Sequence, residues 1–268
     1  MPTTMNKARV IAVKFLTPTV RWFKLEAPNS ARQRFYAGQW LDLQIPGSDI
    51  IGGYSMCSSP MEFEKSCVFE LAVKLSDHPA ATWMHTECSV GMELSYRFGG
   101  EVYLDDNNSS VAGKSYLLIA GGVGINPIYS ILQAIVTKTN FSLKLLYSAK
   151  TQEELMFCVS KKEINTLIES HPQLSVKYFL TEASDTDQHD AESLTFGKLE
   201  KYFDFSEYSM AATDRRMNET DLQEALHGWP LDQVDSFICG PDAMITSVDT
   251  CLKRLQLSPA QIHFERWT

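Results

Sequence analysis

The residues best suited to hold a ligand fall in one run, Leu117-Leu-Ile-Ala-Gly-Gly-Val-Gly-Ile-Asn-Pro127. An apolar, strand-like stretch enters Gly121, Gly122 and Gly124, and a helix-forming pattern leaves them. Glycine permits positive φ and lets a ligand approach the main chain closely. Asn126 reads as the N-cap of the helix and Pro127 as its first residue, positions that these types favour. Unpaired N–H groups and the positive dipole end of such a helix suit a pyrophosphate, which the stretch Gly121, Gly122, Val123, Gly124, Ile125, Asn126 and Pro127 would then cradle. The spacing G-G-x-G-x-N departs from G-x-G-x-x-G, and Tyr147-Ser-Ala-Lys150, not an acid, ends the next strand. A tight strand–helix turn with no ligand has the same composition, so the run alone leaves both readings open.

A second run, Phe237-Ile-Cys-Gly-Pro-Asp-Ala-Met244, again joins a strand, a turn and a helix. It sets Cys239 at the carboxyl end of its strand, where open α/β sheets bind ligands, with Gly240 and Pro241 beside it. A buried small hydrophobe is the plainer role for that cysteine. No histidine or acid adjoins it in sequence to make it a nucleophile. The six cysteines match no zinc or iron–sulfur spacing, and the six histidines form no paired-ligand pattern. No metal site is expected.

These turns need a scaffold, and the chain reads as two halves. Val10–Leu16, Val20–Leu25, Trp40–Ile45, Val68–Val73 and Glu93–Arg97 have strand composition or alternation, broken by Gly, Pro and Asn, with one helical candidate near Ala80–His85. That is the texture of a small antiparallel barrel or sandwich. Asp105–Lys114 is the best linker candidate. Beyond it strands alternate with helices: Tyr116–Ala120, a helix over Pro127–Thr137, Leu143–Tyr147, a helix over Glu153–Ser170, Val176–Leu180, Ser236–Cys239, a helix over Ala243–Leu255 and Ile262–Glu265. In the first helix Ile128, Ile131, Leu132 and Ile135 recur at helical spacing. Alternating β and α elements imply a mostly parallel sheet. The expected architecture is an antiparallel β-barrel domain over residues 1–110, followed by a parallel-sheet α/β domain over residues 111–268.

Composition narrows the function classes. The 268 residues are 44% hydrophobic and 21% charged, enough for a sizeable core without staples. Lys and Arg total 24 against 33 Asp and Glu, a net charge of −9 that argues against nucleic acid as a partner. No apolar run approaches the roughly 18 residues of a membrane span. The acid-rich stretch from Glu182 to Ser193 reads as a solvated loop. The N-terminus shows neither a secretory h-region nor a transit-type segment.

Four motifs, in order, resemble those of the ferredoxin–NADP reductase superfamily. Tyr36-Ala-Gly-Gln-Trp-Leu-Asp-Leu43 is similar to its A-G-Q-[FY] strand, and Gly53-Tyr-Ser-Met-Cys-Ser-Ser-Pro60 to its R-x-Y-S-x-x-S-x-P flavin motif. G-G-V-G-I-N-P resembles its G-G-T-G-I-A-P turn, and C-G-P-D-A-M its C-G-P-x-x-M. The resemblance covers nearly the whole chain and implies a flavin-binding barrel ahead of an NAD(P)-binding α/β domain. It implies hydride transfer between nicotinamide and flavin (FAD, with FMN or none as alternatives), then delivery to an acceptor such as a haem protein, a small ferredoxin or a quinone. It gives Tyr54 and Ser55 to the flavin, with Ser58 and Thr82 as further contacts, and Cys239, Gly240 and Pro241 to the nicotinamide side. Glu265 becomes a proton or hydrogen-bond partner, and Trp267 a ring stacked on the flavin. Lys150 and Ser148 could take a 2′-phosphate, whereas Glu153 and Glu154 disfavour one, so NAD is favoured over NADP. Within the superfamily the chain resembles animal proteins usually assigned to mitochondria, and that location is expected here. Two departures stand out. The motif's arginine falls on Gly52, and the hydroxyl that starts the later helix falls on Ala81, with Thr82 displaced by one. A nucleotide-sensing protein that kept the fold but lost flavin is the competing expectation.

Overall fold

The computed structural model describes residues 5–28, 33–105, 113–138, 140–157, 163–182 and 212–266. Two six-stranded sheets organise them, one antiparallel and one parallel, as expected. The first contains β1 (Asn6–Thr17), β2 (Val20–Glu26), β3 (Trp40–Gln44), β4 (Ile51–Ser55), β5 (Val68–Lys74) and β6 (Glu93–Gly99), in the order β4-β3-β6-β1-β2-β5. The two edges of this sheet meet: Met56, just past β4, bridges to Leu71 of β5, and the Cys57 amide donates to the Glu70 carbonyl at 2.9 Å. The closed sheet surrounds a core rich in rings, where Phe98 lies 5.3 Å from Phe63 and 5.1 Å from Tyr96. Closure removes the open edges that would otherwise invite pairing with another chain.

Two short helices decorate the barrel. The first, α1 (Pro60–Ser66), is capped by the Ser59 hydroxyl, which accepts from the Glu62 amide. The second, α2 (Pro79–Thr86), is capped by His78, whose Nδ1 accepts from the Ala80 amide at 3.2 Å. Neither β4 nor α1 was expected. Two successive glycines mask the strand, and seven residues are too few to show a helical period.

The second sheet contains β7 (Ser115–Gly121), β8 (Ser142–Ala149), β9 (Leu174–Leu180), β10 (Ala212–Thr213), β11 (Val234–Cys239) and β12 (Ile262–Phe264), all parallel, in the order β10-β9-β8-β7-β11-β12. The chain works outward from β7 to β10, then returns to lay β11 on the other side of β7. The reversal makes the space between the carboxyl ends of β7 and β11 a topological switch point. The connecting helices are α3 (Ile125–Val136), α4 (Glu163–Ser170), α5 (Glu219–Leu226) and α6 (Asp242–Arg254). The helix expected over Glu153–Ser170 is broken. A 3-10 turn covers Gln152–Glu154, Phe157 takes a positive φ of 62°, and α4 covers Glu163–Ser170. Leu155, Met156 and Phe157 are all buried in succession, which a one-faced surface helix cannot provide.

By contacts the chain divides into two units, and the division is not a single cut. Residues 123–141, including α3, group with the barrel, and residues 114–122 group with the parallel sheet. The boundary expected at 110 lies outside the described residues. Three side chains on one face of α3 explain its grouping. Asn126 Nδ2 donates to the Ala72 carbonyl at 2.7 Å, Ser130 Oγ to the Ser58 carbonyl at 2.8 Å, and Gln133 Nε2 to the Cys57 carbonyl at 3.0 Å. Their spacing, at i, i+4 and i+7, keeps one stripe of the helix on the barrel.

In the parallel-sheet unit, Asp221 is 1% exposed and fastens α5. Its carboxylate accepts two hydrogen bonds from Arg215 and one from Lys177, and forms a reciprocal capping box with Asn218. Burial pushes the carboxyl upward in pKa, but these donors outweigh it and hold the group well below the usual carboxylate range. Asp221→Asn is expected to cost about 2 kcal/mol at neutral pH. The native carboxyl binds its proton less tightly than the unfolded one, so the contribution is complete above about pH 4 and fades in acid. Urea denaturation curves of the two proteins should lie apart at pH 7 and converge as the pH is lowered below that value.

Candidate functional site

The glycine turn stands at the switch point. Gly121 ends β7, a 3-10 turn covers Gly122–Gly124, and α3 follows directly with Gly124 as its N-cap. Asn126 is therefore the second helical residue and Pro127 the third, two positions deeper than the sequence suggested. The 3-10 turn absorbs the glycines, and proline is tolerated there because the first N–H groups of a helix lack intrahelical acceptors. Asn126 is spent on the barrel strand β5 and not on the cap, while its Oδ1 stays buried without a partner.

Gly121 meets a second glycine. In the parallel ladder Cys239 sits opposite Ala120, so Gly240 follows β11 at the level of Gly121. A Cβ on Gly240 would lie 3.1 Å from both Cα and N of Gly121, and 2.5 Å from Met244 Cε. A Cβ on Gly121 would lie 2.7 Å from Met244 Sδ and 3.0 Å from Pro241 Cδ. The two main chains touch where no side chain fits between them, and Met244 packs against both. Gly122 is different. It has φ +55° and nothing within 4 Å of a would-be Cβ, so its open face is available. Beneath it, the fully buried Tyr147 accepts from the Met156 amide at 3.2 Å and donates weakly to the Gly122 and Glu154 carbonyls at 3.4 Å. Tight packing on one side and free main chain on the other is the form a dinucleotide's pyrophosphate requires, so the turn fits a nicotinamide nucleotide.

The other expected residues on this sheet follow strand ends along the same edge. Cys239 forms no disulfide and is 9% exposed, and Pro241 is the N-cap of α6. Lys150, next after β8, is paired with Glu182 at 2.6 Å. Glu265 follows β12 and is partly buried. Trp267 lies outside the described residues, as does nearly all of the acidic stretch after Glu182.

On the barrel, Tyr54 and Ser55 end β4, and both are partly buried. The Tyr54 ring leans back over Gly52: a Cβ there would lie 2.6 Å from the Tyr54 hydroxyl, and 2.8 Å from Ala80 Cβ at the start of α2. Glycine at 52 thus makes room for a phenol where the resemblance would put an arginine. The Tyr54 hydroxyl is buried with no hydrogen-bond partner, and burial pushes its pKa upward, so it is a neutral donor at any ordinary pH. Leaving such a group unpaired costs about 1–3 kcal/mol, which a ligand oxygen would recover. The Tyr54 hydroxyl therefore fits a flavin oxygen as a single neutral donor. Ser58 and Thr82 have structural partners: Ser58 Oγ accepts from the Glu70 amide at 3.0 Å, and Thr82 Oγ1 donates to the Ser76 carbonyl at 3.0 Å. Gly240 and Met244 as an interlocking pair with Gly121 were not foreseen, although the regular C-G-P-D-A-M spacing carried the signal.

Three comparisons bear on this geometry. Residues 118–250 match the family described as "Oxidoreductase NAD-binding domain". Over 98% of its length the chain is 35% identical to oxidoreductase NAD-binding domain-containing protein 1 of Xenopus laevis, covering 79% of that protein. Among solved structures it is similar to the flavohem-like FAD/NAD-binding domain of nitric oxide dioxygenase from Vibrio cholerae, with a TM-score of 0.73, 19% identity and 99% of each chain covered. It is also similar to a ferredoxin NADP+ reductase from Neisseria gonorrhoeae with bound FAD and NADP, with a TM-score of 0.72, 20% identity and 98% of each chain covered.

The close contact of Gly240 with Gly121 can be tested by crowding it. Gly240→Ala should destabilise the protein by about 1–3 kcal/mol in thermal or urea unfolding. Adding Met244→Ala should recover only part of that loss, because the clash with the Gly121 main chain persists. Full recovery in the double variant would show that the methionine alone fills the site.

Proposed function

Because the chain belongs to the family of oxidoreductase NAD-binding domain-containing protein 1, we propose that it is a flavin-dependent NAD(P)H oxidoreductase. The observation that carries this reading is the switch-point turn, with Gly121 and Gly240 in contact and Gly122 open. Bound together, a reduced nicotinamide and a flavin supply two-electron chemistry, a hydride passing from one ring to the other. The protein's share is to hold and orient. Main-chain amides from Gly121 to Asn126 receive the negative bridge of the nucleotide at the positive end of α3. Cys239, Gly240 and Pro241 give its ring a compact lining without a charged side chain. On the barrel, the Tyr54 hydroxyl donates to the flavin and Ser55 lies beside it on β4. Glu265, one residue past β12, is placed in the same proposal as a hydrogen-bond or proton partner. The acceptor after flavin is a separate redox partner, with a small ferredoxin, a haem protein or a quinone as the classes that fit. The proposed location is the mitochondrion.

One observation favours a second reading, in which the fold senses a nicotinamide nucleotide and no longer uses flavin. The Tyr54 phenol and Gly52 together replace the cation that would neutralise a flavin phosphate, and the His78 side chain takes the Ala80 amide at the start of α2. Colour separates the two readings. Purified protein, as isolated or after reconstitution with FAD or FMN, should absorb in the visible and bleach when NADH is added without oxygen. A colourless protein that takes up neither flavin would support the sensing role.

The glycine turn has its own test. Gly122→Asp puts a carboxylate into open space at a position whose positive φ aspartate tolerates better than most residues. The variant should stay folded and lose at least about tenfold in NADH affinity, measured by calorimetry. A folded variant that binds NADH as the wild type does would remove the pyrophosphate from this turn.

A further inference from the structure

We propose that Glu182 makes this nucleotide site select NADH over NADPH by engaging Lys150. This inference rests on the reading of the glycine turn given above. In the parallel sheet Ser148 is the neighbour of Gly121, about one strand spacing, ~4.8 Å, away, and Ala149 and Lys150 continue the chain beyond it at the end of β8. A dinucleotide whose pyrophosphate rests on the end of β7 directs its adenosine ribose toward the end of the next strand. The side chains there decide between a 2′-hydroxyl and a 2′-phosphate. Lys150 is the cation at that strand end that a 2′-phosphate would use.

The ladder continues past the strands and fixes the group that opposes it. The Thr181 amide donates to the Ala149 carbonyl at 3.0 Å, and the Glu182 amide to the Lys150 carbonyl at 3.0 Å. Glu182 therefore has a set main-chain position directly beside Lys150, and its carboxylate lies 2.6 Å from the ammonium. The charge of Glu154 adds to that of Glu182 in holding Lys150 protonated. Two carboxylates, Glu182 and Glu154, therefore act on one ammonium, and their combined charge with it is −1 before any ligand arrives. A 2′-phosphate would bring about two more negative charges and would have to displace Glu182 from Lys150. A 2′-hydroxyl brings none and can donate to the carboxylate. The ion pair is exposed on both sides, so its worth as a stabilising contact is small, and its effect falls on selection.

Calorimetric affinities of the whole chain for NADH and NADPH test the assignment at two ionic strengths. The wild type should bind NADH at least about tenfold more tightly. Glu182→Gln should narrow that ratio at least about fivefold, chiefly by tightening NADPH, and the gain should shrink as salt rises because it is coulombic. Glu182→Asp should keep most of the wild-type preference. A Glu182→Gln protein that binds both nucleotides with an unchanged ratio would overturn the role of Glu182 and leave the glycine turn standing. If the folded wild type bound neither nucleotide, the reading of the turn would fall and this assignment with it.

Discussion

The contact between the main chains of Gly121 and Gly240 is the constraint on which the site is built. It lets β7 and β11 run to their ends side by side and still turn away into separate helices. A side chain at either position would push the turns apart, and the amides after Gly121 would lose their common aim. Met244 packs on the pair without filling the open face of Gly122. The parallel ladder supplies the rest, bringing Lys150, Glu182, Cys239 and Glu265 to one edge although 115 positions separate the first from the last. The activity proposed for the chain is local chemistry made possible by that non-local register.

Helix α3 groups with the barrel. It starts on the last glycine of the turn, yet its polar stripe of Asn126, Ser130 and Gln133 is spent on barrel carbonyls at Ala72, Ser58 and Cys57. The Ala72 carbonyl lies on β5, and those of Cys57 and Ser58 lie just past β4. Hydrogen bonds at buried positions cost little to make and much to leave unmade, so the stripe fixes the rotation of the helix more than it adds to stability. The amides at its first turn inherit that orientation.

How much of this was legible depended on whether the signal was local. Strands β1 and β2 could be read because their residues alternate, and α3 because Ile128, Ile131, Leu132 and Ile135 repeat at helical spacing. Strand β4 could not, because Gly52 and Gly53 erase its propensity and only pairing with β3 defines it. The helix expected from Glu153 failed where three buried side chains in a row demanded an irregular path. Asn126 looked like a cap because its type favours one, and only the barrel contact shows otherwise. Glycine at 52 read as a missing arginine, whereas the structure shows a tyrosine in possession of the space. Glu182 read as the start of a solvated loop, since nothing in the sequence says that it stands beside Lys150.

The interleaved division of the chain also bears on how the molecule is made. A barrel that needs residues 123–141 to complete its surface is unfinished when its last strand leaves the ribosome. Domains tend to form in order of synthesis, so the N-terminal half must wait, some of its carbonyls unmatched, until the first strand of the following sheet and the helix beyond it have emerged. Gene fusion or truncation at the apparent seam near residue 110 would therefore divide one half from its own closing piece.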